Sequence, residues 1–234
     1  MLDSTLLKKF CSGFYGYGSN TAPYWFITME EGGGKNEQDI LNRLRAWDSR
    51  GRRELEEIQE YHIAIGQPSW FVTHPNIQKT WAAAIRMVLV AEGETPTTEI
   101  VRNFQRDRLA RGGANNRLSP LFPLPSPSSD KWNYGNWTKD FSFSMRSEYI
   151  KSYENLRISH LSNAIRLHKP KFVVFFGTSY LHYWTRITGT PFLQNRSFLF
   201  AYNETTRFIA CLHPSYQGVS NSYFESAASM LRDA

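Results

Sequence analysis

The chain has 234 residues, enough for one α/β core or at most two small ones. It carries 27 Lys plus Arg against 21 Asp plus Glu, a net charge of +6 that suits a polyanionic partner but is common among enzymes. Its two cysteines, Cys11 and Cys211, exclude a disulfide framework, a four-cysteine zinc site and a four-cysteine iron–sulfur cluster, and they fit a reducing cytoplasm.

Residues 1–10 hold no long apolar stretch after a basic start, so a secretory leader is not expected. The longest apolar segment, 81–91, is broken by Arg86 and falls well short of the roughly 18 residues of a membrane span. No membrane partner is expected.

In chain order, Tyr24-Trp-Phe-Ile-Thr-Met29 predicts a strand, ended by the loop Glu30-Glu-Gly-Gly-Gly34. Ile40, Leu41, Leu44 and Trp47 recur at helical spacing, and a second helix is expected over 53–64. Asn76 is a candidate cap for a third, with Ile77, Trp81, Ile85, Val88 and Leu89 on its inner face. A fourth runs from Thr98 to about residue 109. After the break at 112–116, residues 118–124 read as a short strand, and 125–129 as a rigid turn of Pro and Ser. A long helix is expected over 147–168. Lys171-Phe-Val-Val-Phe-Phe176 is a continuous apolar run, the mark of a strand buried on both faces. A helix with Tyr180, Leu181, Trp184 and Ile187 follows, then strands over 198–202 and 206–212, and a last helix from about 220–222. Strands alternate with helices, which predicts one α/β domain: a three-layer α/β/α sandwich around a mostly parallel four-stranded sheet.

In such sheets ligands bind beyond the carboxyl ends of the strands. Three loops fall there: Glu30-Glu-Gly-Gly-Gly34, Pro123-Leu-Pro-Ser-Pro-Ser128 and His213-Pro-Ser-Tyr-Gln-Gly218. Glu31-Gly-Gly-Gly-Lys35 superficially suggests a phosphate loop, but Lys35 is followed by Asn36 and the Gly-x4-Gly-Lys-Ser/Thr pattern is absent. Two carboxylates and one histidine at a single sheet edge supply charge stabilisation and proton management. The other five histidines, His62 among them, show no metal-ligand spacing and read as structural or surface groups.

These motifs resemble those of the uracil-DNA glycosylase superfamily, in order along nearly the whole chain. Residues 22–34 look like its first motif, a strand ending in an acidic loop. Residues 169–177 are similar to its penultimate core strand, and Leu212-His-Pro-Ser215 matches its second signature. The chain departs from the family's Gly-Gln-Asp-Pro-Tyr and Gly-Glu-Gly-Pro-Gly variants by reading Met29-Glu-Glu-Gly-Gly33, and it lacks the cluster cysteines.

The resemblance implies a DNA glycosylase, without cofactor or metal, that hydrolyses the N-glycosidic bond of a flipped-out uracil-like or modified pyrimidine. Glu30 or Glu31 would steady the oxocarbenium-like sugar and orient water, and His213 would hydrogen-bond the departing base. Trp25 or Trp70 would stack on the base, and Asn115 or Asn116 would read its edge. Ser126, Ser128, Ser215 and Gln217 would hold phosphates, joined by Arg111 and Arg117 from a basic cluster with Arg102, Arg106 and Arg108. A second cluster, Arg43 to Arg53, reads as readily as a solvated helix face. The partner implied is DNA, single- or double-stranded, bound by a monomer. Two alternatives stay open: a glycosylase that removes hydroxymethylated or glucosylated bases from phage DNA in antiviral defence, and a non-catalytic nucleic-acid-binding module.

Overall fold

The computed structural model describes residues 1–128, 130–195 and 197–233. Ser129, the last residue of the expected Pro/Ser turn, lies outside them. The helices are α1 (Ser4–Gly13), α2 (Glu37–Ser49), α3 (Ile58–Ala64), α4 (Lys79–Ala91), α5 (Thr98–Asp107), α6 (Tyr134–Trp137), α7 (Arg146–His168), α8 (Leu181–Thr188) and α9 (Asn221–Asp233). The strands are β1 (Tyr17–Gly18), β2 (Tyr24–Thr28), β3 (Asn116–Pro120), β4 (Phe172–Phe176), β5 (Leu193–Asn195), β6 (Phe198–Tyr202) and β7 (Arg207–Cys211).

One sheet of the described residues runs in the order β1-β3-β2-β4-β7-β6-β5. Its four central strands, β3, β2, β4 and β7, are mutually parallel. The sheet is therefore mostly parallel, as expected, but it has seven strands rather than four. β1 adds antiparallel to one edge, and the β5–β6 ribbon adds antiparallel to the other. The 198–202 and 206–212 runs form a hairpin because Asn203 closes its turn, accepting from the Thr205 and Thr206 amides at 3.0 and 2.7 Å.

Strand alternation divides the sheet's contacts. Tyr24, Phe26, Phe172 and Val174 meet α4 and α9 through Met87, Val88, Ala228 and Leu231. On the opposite face Phe175 stacks on Trp184 of α8 at 4.9 Å. Every residue of β4 is buried, so its continuous apolar run is explained by helices on both sides.

Local differences from expectation have local causes. The second helix starts at Ile58, not at residue 53, because Glu56 is drawn into pairing with Gly16 and Gly18. α4 is capped by Gln78, whose side chain accepts from the Trp81 amide at 2.7 Å, rather than by Asn76. β3 stops at Pro120, since residues 121–124 turn away to follow the chain that leaves β2. α6, β1 and β5 are too short to be read from sequence, whereas α1, with Leu7, Phe10 and Cys11 at helical spacing behind an Asp3 cap, adds a helix that the sequence reading passes over.

Candidate active site

The carboxyl ends of the four parallel strands open into a cleft of about 1200 Å³. Two loops, one leaving β2 and one leaving β3, form its near wall and are zipped together. The Leu121 and Phe122 amides donate to the Thr28 and Met29 carbonyls at 2.7 and 2.9 Å, and the Ser126 amide donates to the Glu31 carbonyl at 3.2 Å. Gly34 allows this fit: its φ is +67°, and a Cβ would stand 2.3 Å from the Pro125 carbonyl oxygen. The Asp39 carboxylate, in the first turn of α2, accepts from the Gly34 amide at 2.8 Å and closes the loop.

Glu30 and Glu31 both line the cleft but differ in setting. Arg146, the first residue of α7, donates from Nε and Nη2 to Oε1 of Glu30 at 3.1 and 2.7 Å. Oε2 of Glu30 has no protein partner and remains accessible. Burial raises the Glu30 carboxyl above its usual range, and Arg146 pulls it back. Glu31 is held by Arg43, whose Nη1 reaches Oε2 at 3.0 Å. Its Oε1 is buried together with the Tyr17 hydroxyl, which is among the groups that hold the Glu31 carboxyl down; ionisation of Tyr17 is opposed by burial and by the Glu31 charge. Burial also raises the Glu31 carboxyl, offset chiefly by Arg43.

Two histidines line the cleft, with opposite polarity. The Ser215 amide donates to Nδ1 of His213 at 3.2 Å, so the proton of the neutral ring sits on Nε2, a donor. Burial lowers the His213 pKa and keeps the ring neutral. In His62, Nδ1 lies 2.7 Å from the Ile58 carbonyl, which can only accept. Nδ1 therefore carries the proton and Nε2 is an acceptor. Burial holds the His62 pKa down at about 4.

The remaining predicted residues divide. Trp70, Ser126, Ser128 and Ser215 line the cleft, and Gln217 is exposed in the loop beyond His213. The Ser126 hydroxyl is taken up within its own loop, donating toward the Ser128 and Lys131 carbonyls at 2.7 and 2.6 Å, so it is no phosphate donor.

Trp25 is fully buried, with Nε1 donating to the Ala22 carbonyl at 2.8 Å and Arg117 stacked on its ring at 4.0 Å. It cannot stack on a base. Arg117 is itself fully buried, bonded to Ser119 Oγ at 2.8 Å and to Asn20, so it does not reach DNA. Asn115 and Asn116 sit at the amino end of β3, on the sheet edge away from the cleft. Asn115 bonds Glu92, and Asn116 accepts from the Ala110 amide at 2.7 Å. They do not read a base there. Arg111 is engaged with Glu57 at 2.8 Å and with Gln59, and its neighbours Arg102, Arg106 and Arg108 are likewise ion-paired.

Sequence reasoning passed over Arg43, Arg146 and His62 as site residues. Arg43 was legible: Ile40, Arg43, Leu44 and Trp47 lie at i, i+3, i+4 and i+7 on the inner face of α2. His62 falls on the same pattern with Ile58, Tyr61 and Ile65. Arg146 had no such signal, because its role arises from a contact 116 positions away in sequence.

No protein-family model matches the chain, and no curated protein matches its sequence.

Proposed function

We propose that the protein is a DNA glycosylase, a single-domain member of the uracil-DNA glycosylase superfamily, acting on a flipped-out uracil-like or modified pyrimidine. The observation that carries this reading is the meeting, in one cleft, of a carboxylate with an open oxygen and a neutral histidine with a free N–H.

Breaking the C1′–N bond develops positive charge on the sugar and negative charge on the base. Glu30 suits the sugar, because Arg146, through Oε1, opposes the burial that favours the protonated acid, and the open Oε2 is left for sugar and water. His213 suits the base, because its Nε2–H donates to the base oxygen as charge grows there. Glu31, fixed by Arg43, holds the loop in place. Trp70 offers a stacking surface, while Lys35 and Ser215 offer phosphate contacts at the rim.

An abasic-site assay on single- and double-stranded oligonucleotides carrying uracil, hydroxymethylated and glucosylated bases tests this. Base release is expected, and Glu30→Gln and His213→Ala should each slow it by about 100- to 1000-fold. Binding of DNA with no release from any oligonucleotide would instead support a non-catalytic module.

A further inference from the structure

Arg146 is held along one edge only. Its Nε and Nη2 both donate to Oε1 of Glu30, at 3.1 and 2.7 Å. A guanidinium is a planar fork of five N–H donors, and this contact takes the Nε–Nη2 edge. The second edge, formed by Nη1 and the remaining Nη2 hydrogen, has no partner among the described residues. Nor is it sealed inside the protein: the side chain lines the cleft and is 22% exposed. Arg43, the other guanidinium of the cleft, is a contrast. It is 5% exposed and enclosed between Glu31 and Asp39, at 3.0 and 3.2 Å. The arginines of the basic run 102–111 are ion-paired elsewhere.

An open Nη1–Nη2 edge matches the two non-bridging oxygens of a phosphodiester, through parallel charge-assisted hydrogen bonds. Glu30, in the reaction proposed above, faces C1′ of the target sugar. The phosphates on the 3′ and 5′ oxygens of that sugar lie only one sugar's width away. We propose that Arg146 is a two-sided clamp, holding Glu30 by one edge and a backbone phosphate of the target nucleotide by the other. Arg146 is then a positioning residue. Backbone binding fixes the guanidinium, and the guanidinium fixes the carboxylate, so binding energy from the phosphate is realised as orientation at the reacting carbon. The inference rests on the glycosylase reading and adds to it a coupling between the backbone and Glu30.

The test pairs substrate and protein changes. A uracil oligonucleotide, or one with whichever base is released, is made with a neutral methylphosphonate in place of the phosphate 5′ or 3′ to the target. kcat and KM for base release are measured for the full chain, Arg146→Gln and Arg146→Lys. At one of the two positions the parent should lose at least about 10-fold in kcat/KM, part of it in kcat. In Arg146→Gln the same replacement should cost less than about threefold, because the partner is already gone. Arg146→Lys keeps the charge without the fork and should fall between. If the arginine variants are too slow to follow, binding of the intact oligonucleotides to Glu30→Gln and to Glu30→Gln with Arg146→Gln reads the same cycle. Equal losses in parent and Arg146→Gln at both positions would overturn the clamp and leave the glycosylase reading intact. A parent loss confined to KM would overturn the positioning role. Release of no base from any unmodified oligonucleotide would overturn the glycosylase reading and the inference with it.

Discussion

Arg146 places both of its hydrogen bonds on a single oxygen of Glu30, at 3.1 and 2.7 Å, and so leaves the other oxygen for chemistry. This contact decides the charge of the carboxylate as well as its direction. Burial favours the protonated acid, and the guanidinium opposes burial. Arg146→Ala removes the opposing charge, so the Glu30 pKa must rise further. If ionised Glu30 supports base release, the acidic limb of the kcat/KM profile moves to higher pH in this variant. Activity lost near neutrality then returns as the pH is raised. An unshifted limb would mean that Glu30 does not titrate in the rate. Glu31 is the contrasting case. It is enclosed between Arg43 and the buried Tyr17 hydroxyl, which suits a structural anchor better than a group that must meet water.

At the scale of elements, the cleft depends on β3 ending at Pro120 and its chain running on beside the loop from β2. That departure leaves backbone carbonyls buried without ladder partners. Arg157, from the middle of α7, supplies the missing donors. It donates to the Leu121, Pro120 and Phe14 carbonyls at 2.7, 2.9 and 2.6 Å, and its guanidinium lies on the Tyr15 ring at 3.7 Å. One side chain thus ties α7 to α1 and to the strand end that shapes the near wall. Arg157→Met would leave those carbonyls buried and unpaired. We expect a loss of about 3–5 kcal/mol in urea-induced unfolding. A loss under about 1 kcal/mol would show that the carbonyls find other donors.

At the scale of the whole molecule, stability should carry the signature of the buried His62 ring. The His62 pKa is about 4 in the folded chain against 6.5 for a free imidazole. Between those values the unfolded chain binds the extra proton, so its contribution to stability is complete above pH 6.5 and is lost as the pH falls toward 4. The full effect is about 3 kcal/mol. The neighbouring Arg43 charge adds to it, while the raised Glu30 and Glu31 carboxyls act in the opposite sense, since acid relieves them of burying a charge. Comparing the parent chain with His62→Gln isolates the histidine. The drop in unfolding free energy from about pH 7.5 to about 4.5 should shrink by nearly that amount in the variant. An equal drop in both chains would place the proton elsewhere. Among the described residues no helix is long and apolar enough to cross a membrane.

The amino-acid sequence by itself determined the α/β class, the parallel core strands and the presence of Glu30, Glu31 and His213 at strand ends. Those features follow from local periodicity: five apolar residues in a row at β4 and a loop of glycines after β2 leave little choice of structure. Only the tertiary structure decided which polar residues share the cleft. Asn115 and Asn116 stand close in sequence to β3, yet at its wrong end. Arg117 stands in a basic run, yet its guanidinium is buried against Trp25. Arg43, His62 and Arg146 enter the site because helix phase and long-range packing bring them there. Charge along a chain says nothing about the face on which a side chain falls, nor which carboxylate will meet it. Those are settled by the pleat of the strand, the phase of the helix and the contacts made between distant segments.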